Sequence, residues 1–104
     1  MIQIEQTEAY AKWFSGLRDR VARARIDVRI RRLSLGNAGD AKPVGDGVSE
    51  LKVDHGPGYR IYFIQRSEVV IVLLAGGDKS TQDKDIRNAK DLKKTLRSSD
   101  HAQN

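Results

Sequence analysis

The sequence contains no cysteine and only two histidines, and these absences exclude several kinds of chemistry. Without cysteine, the chain can form no disulfide framework, no thiolate zinc site and no cysteine nucleophile. His55 and His101 alone cannot build a conventional histidine-rich metal site. No GxSxG, P-loop or GxGxxG motif occurs, so the usual signatures of serine hydrolases and nucleotide-binding proteins are missing. We therefore expect no metal and no cofactor.

The sequence also lacks a long apolar run. The longest one, Val69 to Ala75, has seven residues, whereas a membrane-spanning helix needs roughly 20. The stretch MIQIEQTEAY has neither the basic nor the apolar segment of a secretion signal, so we expect a cytoplasmic protein. A chain of 104 residues suits one domain. We place that domain at residues 1–97 and predict a disordered polar tail at residues 98–104.

The charge of the chain is concentrated in one segment. The whole sequence has 19 basic and 14 acidic residues and a net charge of +5. Residues 17–35 contain seven arginines and two aspartates, so this segment alone has the same net charge. A localised arginine cluster indicates a polyanionic partner such as nucleic acid. The alternative interpretation is a solvated helix face that merely keeps the protein soluble.

Hydrophobic periodicity in the first half of the chain predicts one strand and two helices. Ile2 and Ile4 alternate with polar residues, which indicates a short strand with one buried face. Thr7 is a suitable N-cap for a first amphipathic helix. A second helix is predicted from Arg18 to Leu35. An exposed loop is predicted over residues 37–47, which are rich in glycine, aspartate and alanine.

The second half of the chain predicts an antiparallel meander followed by a helix. Three segments have the composition of strands: VSELKVD, YRIYFIQR and VVIVLLA. The links between them are short, and Gly76-Gly77 is predicted to end the third strand. A final helix is expected from about Gln82 to Arg97. The expected architecture is therefore a single α+β domain.

The second predicted helix is apolar on two opposite sides. At roughly 100° per residue, its residues fall into two stripes: Leu17, Val21, Ala24, Val28 and Leu35 on one side, and Ala22, Ile26, Ile30 and Leu33 on the other. A helix of this kind must be covered twice. The first helix can cover one stripe and the sheet the other. If the first helix is too short, the uncovered part is a groove for a partner.

Cations and a hydroxyl share one face of the predicted sheet. Lys52 and Arg60 point away from the core residues of their strands, and antiparallel pairing brings them close together. Tyr62 lies two residues beyond Arg60, and Lys79 follows the last strand next to the final helix. Such cations suit a phosphodiester better than a neutral substrate. The alternative is that Lys52 pairs with a neighbouring carboxylate on a solvated face.

Two segments resemble a known family. The stretches GVSELKVDHGPGYRIYF and VVIVLLAGGDKSTQDKDIRNAKDL are similar to the RelE/ParE superfamily of bacterial toxins, and more narrowly to its HigB-like branch of phage-derived addiction module killer proteins. The resemblance extends from about Ile2 to Leu96. It implies a RelE-like fold, in which an amino-terminal strand and a two-helix hairpin pack on a mostly antiparallel sheet with a carboxy-terminal helix.

The resemblance also implies a function. It makes the protein the toxin of a type II toxin–antitoxin system and an mRNA interferase, a metal-independent, ribosome-dependent endoribonuclease that inhibits translation and growth. Lys52 matches a basic residue that acts as general base in RelE-type toxins. Arg60 matches the arginine that stabilises the transition-state charge, and Lys79 matches a second phosphate-facing cation. Catalysis would then depend on these three residues.

The sequence departs from the family pattern in two places. Some relatives have a basic residue where Glu50 stands here, and a polar stretch around Gln82 and Asp85 replaces the carboxy-terminal aromatic residue of RelE. No single residue obviously takes over the role of that aromatic. The candidates are His55, Tyr59, Tyr62 and Gln82. His55 suits acid catalysis near neutral pH, although it can equally serve to cap its loop.

Two other functions remain open at this point. A ParE-like protein has the same fold and inhibits DNA gyrase by binding, without cleavage. A basic nucleic-acid-binding module would use the arginine-rich helix alone. The toxin interpretation implies a helix-turn-helix antitoxin, the ribosome and mRNA as partners, with promoter DNA reached indirectly through the antitoxin complex. For ribosomal RNA or an acidic antitoxin, the candidate docking residues are Arg25, Arg29 and Arg32.

Overall fold

A five-stranded sheet with helices on both faces organises the chain. The computed structural model describes the backbone of residues 1–103 and the side chains of residues 1–96. In chain order the elements are β1 (Gln3–Gln6), α1 (Glu8–Ser15), α2 (Arg20–Ser34), β2 (Ala41–Gly45), β3 (Val48–Val53), β4 (Tyr59–Ser67), β5 (Val70–Asp78), a 3-10 turn (Lys79–Thr81) and α3 (Gln82–Gln103). The strand order is β1-β5-β4-β3-β2, in which β1 is parallel to β5 and the other neighbours are antiparallel. The predicted α+β fold and mostly antiparallel sheet are confirmed.

Each face of the sheet has its own hydrophobic core, because side chains alternate along a strand. On one face, Ile61 and Phe63 of β4 pack with α1 and α2, for example with Ile26. On the other face, Tyr62 belongs to a second cluster that includes Ala89 of α3. Because both faces are covered, the central strands β4 and β5 are apolar along most of their length.

Polar caps determine where the first two helices begin. Thr7, the predicted N-cap of α1, accepts a hydrogen bond from the backbone N–H of Tyr10 at 3.0 Å, which confirms the prediction. Asp19 caps α2 and accepts hydrogen bonds from two backbone N–H groups of its first turn. Because Asp19 has extended backbone angles, α2 begins at Arg20, two residues later than predicted.

The segment predicted as an exposed loop, residues 37–47, contains a strand. Within it, β2 pairs antiparallel with β3 at the edge of the sheet. The glycines and Pro43 argued against a strand in the sequence. Proline is nevertheless compatible with an edge strand, because there its missing N–H leaves no partner strand without a hydrogen bond. Left-handed backbone angles at Asp46 and Gly47 then form the tight turn into β3.

The prediction that Gly76-Gly77 ends β5 is wrong, because the strand continues through both glycines to Asp78. Close helix packing requires glycine at these positions. A Cβ atom on Gly76 would overlap the indole ring of Trp13 in α1, and one on Gly77 would overlap the carboxylate of Asp85 in α3. The two glycines therefore let one helix approach each face of the sheet.

The last helix begins at Gln82, as predicted, and continues to Gln103 instead of ending near residue 97. A disordered tail was predicted for residues 98–104. The side chains of these residues lie outside the described residues, so the disorder stays a prediction. Within the part of the chain that the structure describes, none of the helices combines the length and the apolar character that a membrane crossing requires.

Candidate functional site

The central strands bring two of the predicted site residues face to face. Lys52 of β3 lies directly opposite Arg60 of β4, and Arg60 lies opposite Gly77 of β5. Glu50 and Tyr62 are opposite each other two residues along the same strands. Since alternate residues of a strand share a face, the four side chains of β3 and β4 point to the side covered by α3. The predicted closeness of Lys52 and Arg60 is confirmed.

Glu50 is the buried centre of this site. It is 2% exposed, and its Oε1 lies 2.7 Å from Nε2 of Gln82, 3.4 Å from the hydroxyl of Tyr62 and 3.4 Å from Nε of Arg60. Lys42 of β2 approaches the other carboxylate oxygen at 3.9 Å. A buried carboxylate needs such partners, because its removal from water is costly unless it is paired. In the sequence Glu50 stood out only as a departure from the family pattern, although its position on the face of Arg60 indicates the pairing.

Arg60 is held from two sides. The residue is 7% exposed, and its Nη1 donates a hydrogen bond to the carbonyl of Gly58 at 2.9 Å. Oε1 of Glu50 lies 3.4 Å from Nε, an ion-pair distance without hydrogen-bond geometry. Among the side chains that the structure describes, Nε therefore has no hydrogen-bond partner. The guanidinium is fixed in position and keeps one donor unused.

Gly58 connects Lys79 to Arg60. Its φ of +80° is a left-handed conformation that favours glycine. A Cβ atom at Gly58 would lie 3.5 Å from Nη1 of Arg60 and 3.8 Å from Cβ of Lys79. Lys79, exposed at the start of the 3-10 turn, is thereby brought next to Arg60. We refer to Lys52, Arg60 and Lys79 as the cation cluster.

Polar contacts fix the start of α3 beside the cation cluster. Gln82, the first residue of α3, donates its side-chain N–H to Glu50. One turn later, Asp85 accepts a hydrogen bond from the hydroxyl of Thr81 at 2.6 Å and lies over Gly77. The structure therefore places the predicted candidate Gln82 in the site, and it adds Asp85 as a second carboxylate close to the cluster.

A shallow depression of about 470 Å³ adjoins the cluster and adds two cations. Lys84 and Arg87 of α3 line it together with Lys79. Beside it, Asp78 accepts hydrogen bonds from the hydroxyl and the backbone N–H of Ser80, and these bonds hold the pKa of Asp78 below its ordinary value. Lys84 and Arg87 did not stand out in the sequence, although their spacing of three residues in a helix indicates a shared face.

Tyr62 lies within the site but has no contact with solvent. Its hydroxyl donates to Oε1 of Glu50 at 3.4 Å. Burial raises the pKa of Tyr62 above its ordinary value, and the negative charges of Glu50 and Asp85 raise it further. The phenol therefore stays protonated through neutral pH, so it can hold Glu50 in place but cannot accept a proton.

The structure places His55 and Tyr59 away from the cation cluster, on the face of α1 and α2. Nε2 of His55 lies 3.1 Å from Oδ2 of Asp19, the N-cap of α2. The ring of Tyr59 packs against Trp13, with ring centroids 6.3 Å apart. His55 thus has the partner expected of a residue that fixes its loop to a helix start. Among the described side chains, no cluster of three or more His, Asp or Glu residues is placed to hold a metal ion.

The three predicted docking arginines differ in their environment. Arg25 and Arg32 are exposed on α2. Arg29 is half-buried and donates hydrogen bonds to the carbonyl of Lys52 at 2.7 Å and to that of Ala38 at 3.3 Å. Arg29 therefore fixes α2 to the sheet, whereas its two neighbours face solvent.

Comparison with known proteins assigns the family. Residues 12–97 match the family described as phage-derived protein Gp49-like. The chain belongs to this family. An uncharacterized protein of Haemophilus influenzae is 50% identical to this Gp49-like protein over 95 residues, which are 91% of this chain and 96% of that protein.

A solved structure has the same fold as this Gp49-like protein. The E. coli toxin RelE, as a double arginine-to-alanine variant in the free state, matches it with a TM-score of 0.62 at 15% sequence identity. The match covers 83% of this chain and 95% of RelE. The Gp49-like family and the RelE-like fold together support the resemblance to the RelE superfamily that the sequence indicated. At this identity the structural likeness concerns the fold, and the activity has to be argued from the site.

Proposed function

We propose that this protein is a toxin that cleaves messenger RNA on the ribosome without a metal ion and thereby inhibits translation. The observation that carries the proposal is the cation cluster. Lys52 and Arg60 are directly opposite each other, and Lys79 adjoins Arg60 at Gly58. Three basic residues placed near one another in this way suit a phosphodiester that gains negative charge during reaction. The RelE-like fold supports the same conclusion.

In the proposed reaction, the ribose 2′-hydroxyl attacks the adjacent phosphorus, and the bond from phosphorus to the 5′-oxygen of the next nucleotide breaks. The products are a 2′,3′-cyclic phosphate and a 5′-hydroxyl. One group must take the proton of the attacking hydroxyl, one must stabilise the charge on the phosphorane, and one must protonate the leaving oxygen. We assign these roles to Lys52, Arg60 and Lys79 in that order. An ammonium group has no lone pair, so Lys52 would take the proton as its neutral amine, and the charge on the phosphorane would be stabilised by Arg60 and Lys79.

The way in which Arg60 is held supports the charge-stabilising role. Its guanidinium is fixed by the carbonyl of Gly58 and the carboxylate of Glu50. A donor fixed before the reaction needs no reorganisation when charge develops, and low local polarity strengthens its interaction with that charge. In this proposal Tyr62 and Gln82 are positioning residues, because both donate to the carboxylate that holds Arg60.

The depression beside the cluster offers a place for the neighbouring RNA backbone. Lys84 and Arg87 extend the line of cations from Lys79 along α3. Contacts of this kind position a nucleic acid without reading its sequence. We therefore expect substitution of Lys84 and Arg87 to weaken RNA binding and its salt dependence, with less effect on the chemical step.

The proposal is tested with Lys52→Ala and Lys79→Ala, because both side chains reach solvent and their loss leaves the buried Glu50 pair intact. Lys12→Ala, at an exposed lysine of α1, is the matched control. We expect each cluster variant to slow mRNA cleavage in a cell-free translation reaction by about a hundredfold or more, and to relieve growth arrest on expression. The control should behave like the parent.

Two results would contradict the proposal. One is folded Lys52 and Lys79 variants that arrest growth as strongly as the parent. The other is an early DNA-damage response while protein synthesis continues, which would indicate a ParE-like inhibitor of gyrase. Pulse-labelling of protein and DNA after induction distinguishes these outcomes, and mapping of 5′-hydroxyl RNA ends shows directly whether cleavage occurs.

We also propose a cognate antitoxin of the helix-turn-helix class as the partner of this toxin, and a cytoplasmic site of action. Membership in a toxin superfamily supports an antitoxin. Promoter DNA would be reached only through the complex, with most base contacts made by the antitoxin. A small helix-turn-helix reading frame adjacent to the gene, whose product copurifies with this chain and restores growth, is the expected result. A gene with no such neighbour would contradict it.

A further inference from the structure

The outward side of α2 is apolar and has no cover. Val21 is 53% exposed and Val28 is 48% exposed, and Leu35 just beyond the helix is 60% exposed. The opposite stripe of the same helix, which includes Ala22 and Ile26, is fully buried against the sheet. The first helix packs against β5 and leaves this stripe of α2 uncovered, and the sequence predicted that an uncovered stripe would form a groove for a partner.

This outward side forms an elongated groove of about 600 Å³, which we call the α2 groove. Its apolar residues are Val21, Ala24 and Val28, with Val53 at the end of β3. Four arginines flank them, namely Arg20, Arg25, Arg29 and Arg32, and one acidic residue, Asp54, also lines the groove. An apolar stripe with cations beside it is complementary to a surface that is apolar in the middle and acidic at its edges.

We propose that the α2 groove binds an amphipathic helix of the partner protein, with apolar residues along its centre and aspartate or glutamate on its flanks. The inference rests on the proposed function in that it identifies this partner with the antitoxin. It adds the surface that the antitoxin contacts and the chemistry of the contacting segment. The groove lies on the side of the sheet opposite the cation cluster, so this helix would not cover the cluster.

The spacing of the apolar residues favours a helix as the occupant. Val21, Ala24, Val28 and Leu35 follow one another at intervals of three, four and seven residues. This is the spacing of a coiled-coil seam, which faces the seam of a second helix. The 15 residues of α2 extend over about 22 Å, enough for three to four turns of a partner.

Charge argues against the two other occupants. A second copy of this chain would bring two arginine-flanked grooves together, and such like charges repel. RNA would be attracted by the arginines, but its phosphates make no favourable contact with exposed valine side chains. An acidic amphipathic helix uses both the apolar and the cationic part of the surface.

The test uses the purified full chain and a synthetic peptide of about 20 residues with leucine at the seam positions and glutamate beside them. A peptide of the same composition in shuffled order, which forms no seam, is the reference. We expect the ordered peptide to bind at least about tenfold more tightly than the shuffled one in fluorescence anisotropy. Equal binding of the two peptides would overturn the proposal, because it would leave charge alone as the cause.

Two variants separate the apolar from the cationic contribution. Val21→Ser with Val28→Ser should weaken peptide binding about tenfold, whereas Val69→Ser, at an equally exposed valine in the β4–β5 turn, should not change it. Arg25→Gln with Arg32→Gln should weaken binding and flatten its dependence on salt. Arg29 is left unchanged, because its hydrogen bonds support the fold.

Three further outcomes would also overturn the proposal. In the first, the valine variants bind the peptide as tightly as the parent does. In the second, a single-stranded RNA competes with the peptide for the same arginines. In the third, sedimentation shows that the parent is a dimer and that the valine variant is not. None of these measurements needs toxicity. If the Lys52 and Lys79 variants still arrest growth while the ordered peptide binds, the catalytic assignment is wrong and the groove proposal holds. If these variants lose toxicity while the ordered peptide binds no better than the shuffled one, the groove proposal is wrong and the catalytic assignment holds.

Discussion

Two groups of cations lie on opposite faces of the sheet, and Arg60 in one group is held differently from Arg25 and Arg32 in the other. On the α3 side, Arg60 is 7% exposed and paired with Glu50. On the α2 side, Arg25 and Arg32 are exposed. A buried and paired cation has a defined position, which suits the stabilisation of a transition state. Exposed cations attract a partner over a distance and are screened by salt.

This difference indicates that the excess positive charge and the proposed catalytic cluster lie in different parts of the chain. The excess charge of +5 resides in residues 17–35, which include α2, whereas the remaining chain is balanced. The cation cluster lies in that balanced part, close to the carboxylates of Glu50 and Asp85. In the proposed function, the basic segment is where a partner docks, and the reaction takes place at the cation cluster, where the charges are compensated.

The largest effect on stability is expected from Glu50→Ala. The substitution leaves Arg60 buried without its counter-ion, which costs about 3–5 kcal/mol in free energy of unfolding. Urea unfolding monitored by circular dichroism measures it, with Glu68→Ala in the exposed β4–β5 turn as the matched control. A combined Glu50→Leu and Arg60→Met variant should be more stable than Glu50→Ala, because it removes both charges. Equal stability of Glu50→Ala and parent would show that the pair is not essential to the fold.

A smaller effect is expected on the other side of the sheet. Arg29→Ala removes the hydrogen bonds to the carbonyls of Lys52 and Ala38 and should cost about 1.5–3 kcal/mol. Arg25→Ala, on the same helix and exposed, should change stability by no more than about 0.5 kcal/mol. Denaturant midpoints of the two variants measure the contrast. If both cost the same, the distinction between structural and docking arginines is wrong.

The smallest effect concerns pH. The backbone N–H of Ala22, and next the side chain of His55, lower the pKa of Asp19 below its ordinary value of 3.8. Because the folded-state pKa is the lower one, the stabilisation is fully present above the ordinary value and is lost as pH falls through the folded-state pKa. Asp19→Asn keeps an oxygen that can cap α2 but has no charge to lose. The parent should therefore lose more stability than Asp19→Asn between about pH 6 and pH 2.5, measured by urea unfolding, and identical profiles would contradict the assignment.

Most of the fold could be predicted because its elements bury continuous apolar faces. The apolar runs of β4 and β5 and the helical spacing in α1 are properties of neighbouring residues, so they can be recognised locally. The strand over Ala41–Gly45 could not be predicted in this way, because it is defined by its pairing with β3 and not by its own composition. The prediction that Gly76 and Gly77 end β5 was wrong for a similar reason. Glycine inside that strand is explained only by the side chains of two helices packed on it, Trp13 of α1 and Asp85 of α3.

The same distinction holds for the candidate site. The pairing of Lys52 with Arg60 follows from two adjacent strands and a short link, so the sequence was enough. The buried Glu50 is paired by a hydrogen bond from Gln82, which lies 32 residues later in the chain, at the start of α3. The partner of His55 is Asp19, 36 residues earlier, at the start of another helix. Contacts between elements that are not neighbours in the sequence are determined by tertiary packing, so the hydrophobic periodicity of the sequence does not predict them.

Arg29 belongs to both regions, since it lines the α2 groove and donates to the backbone carbonyl of Lys52. A partner that moves this guanidinium when it fills the groove would also change how the strand beneath the cation cluster is held. Thermodynamic linkage makes such coupling reciprocal. If the partner weakens RNA binding by a given factor, bound RNA weakens the partner by the same factor. In the proposed function, substrate RNA and antitoxin would then weaken each other's binding from opposite faces of the sheet, without being in contact.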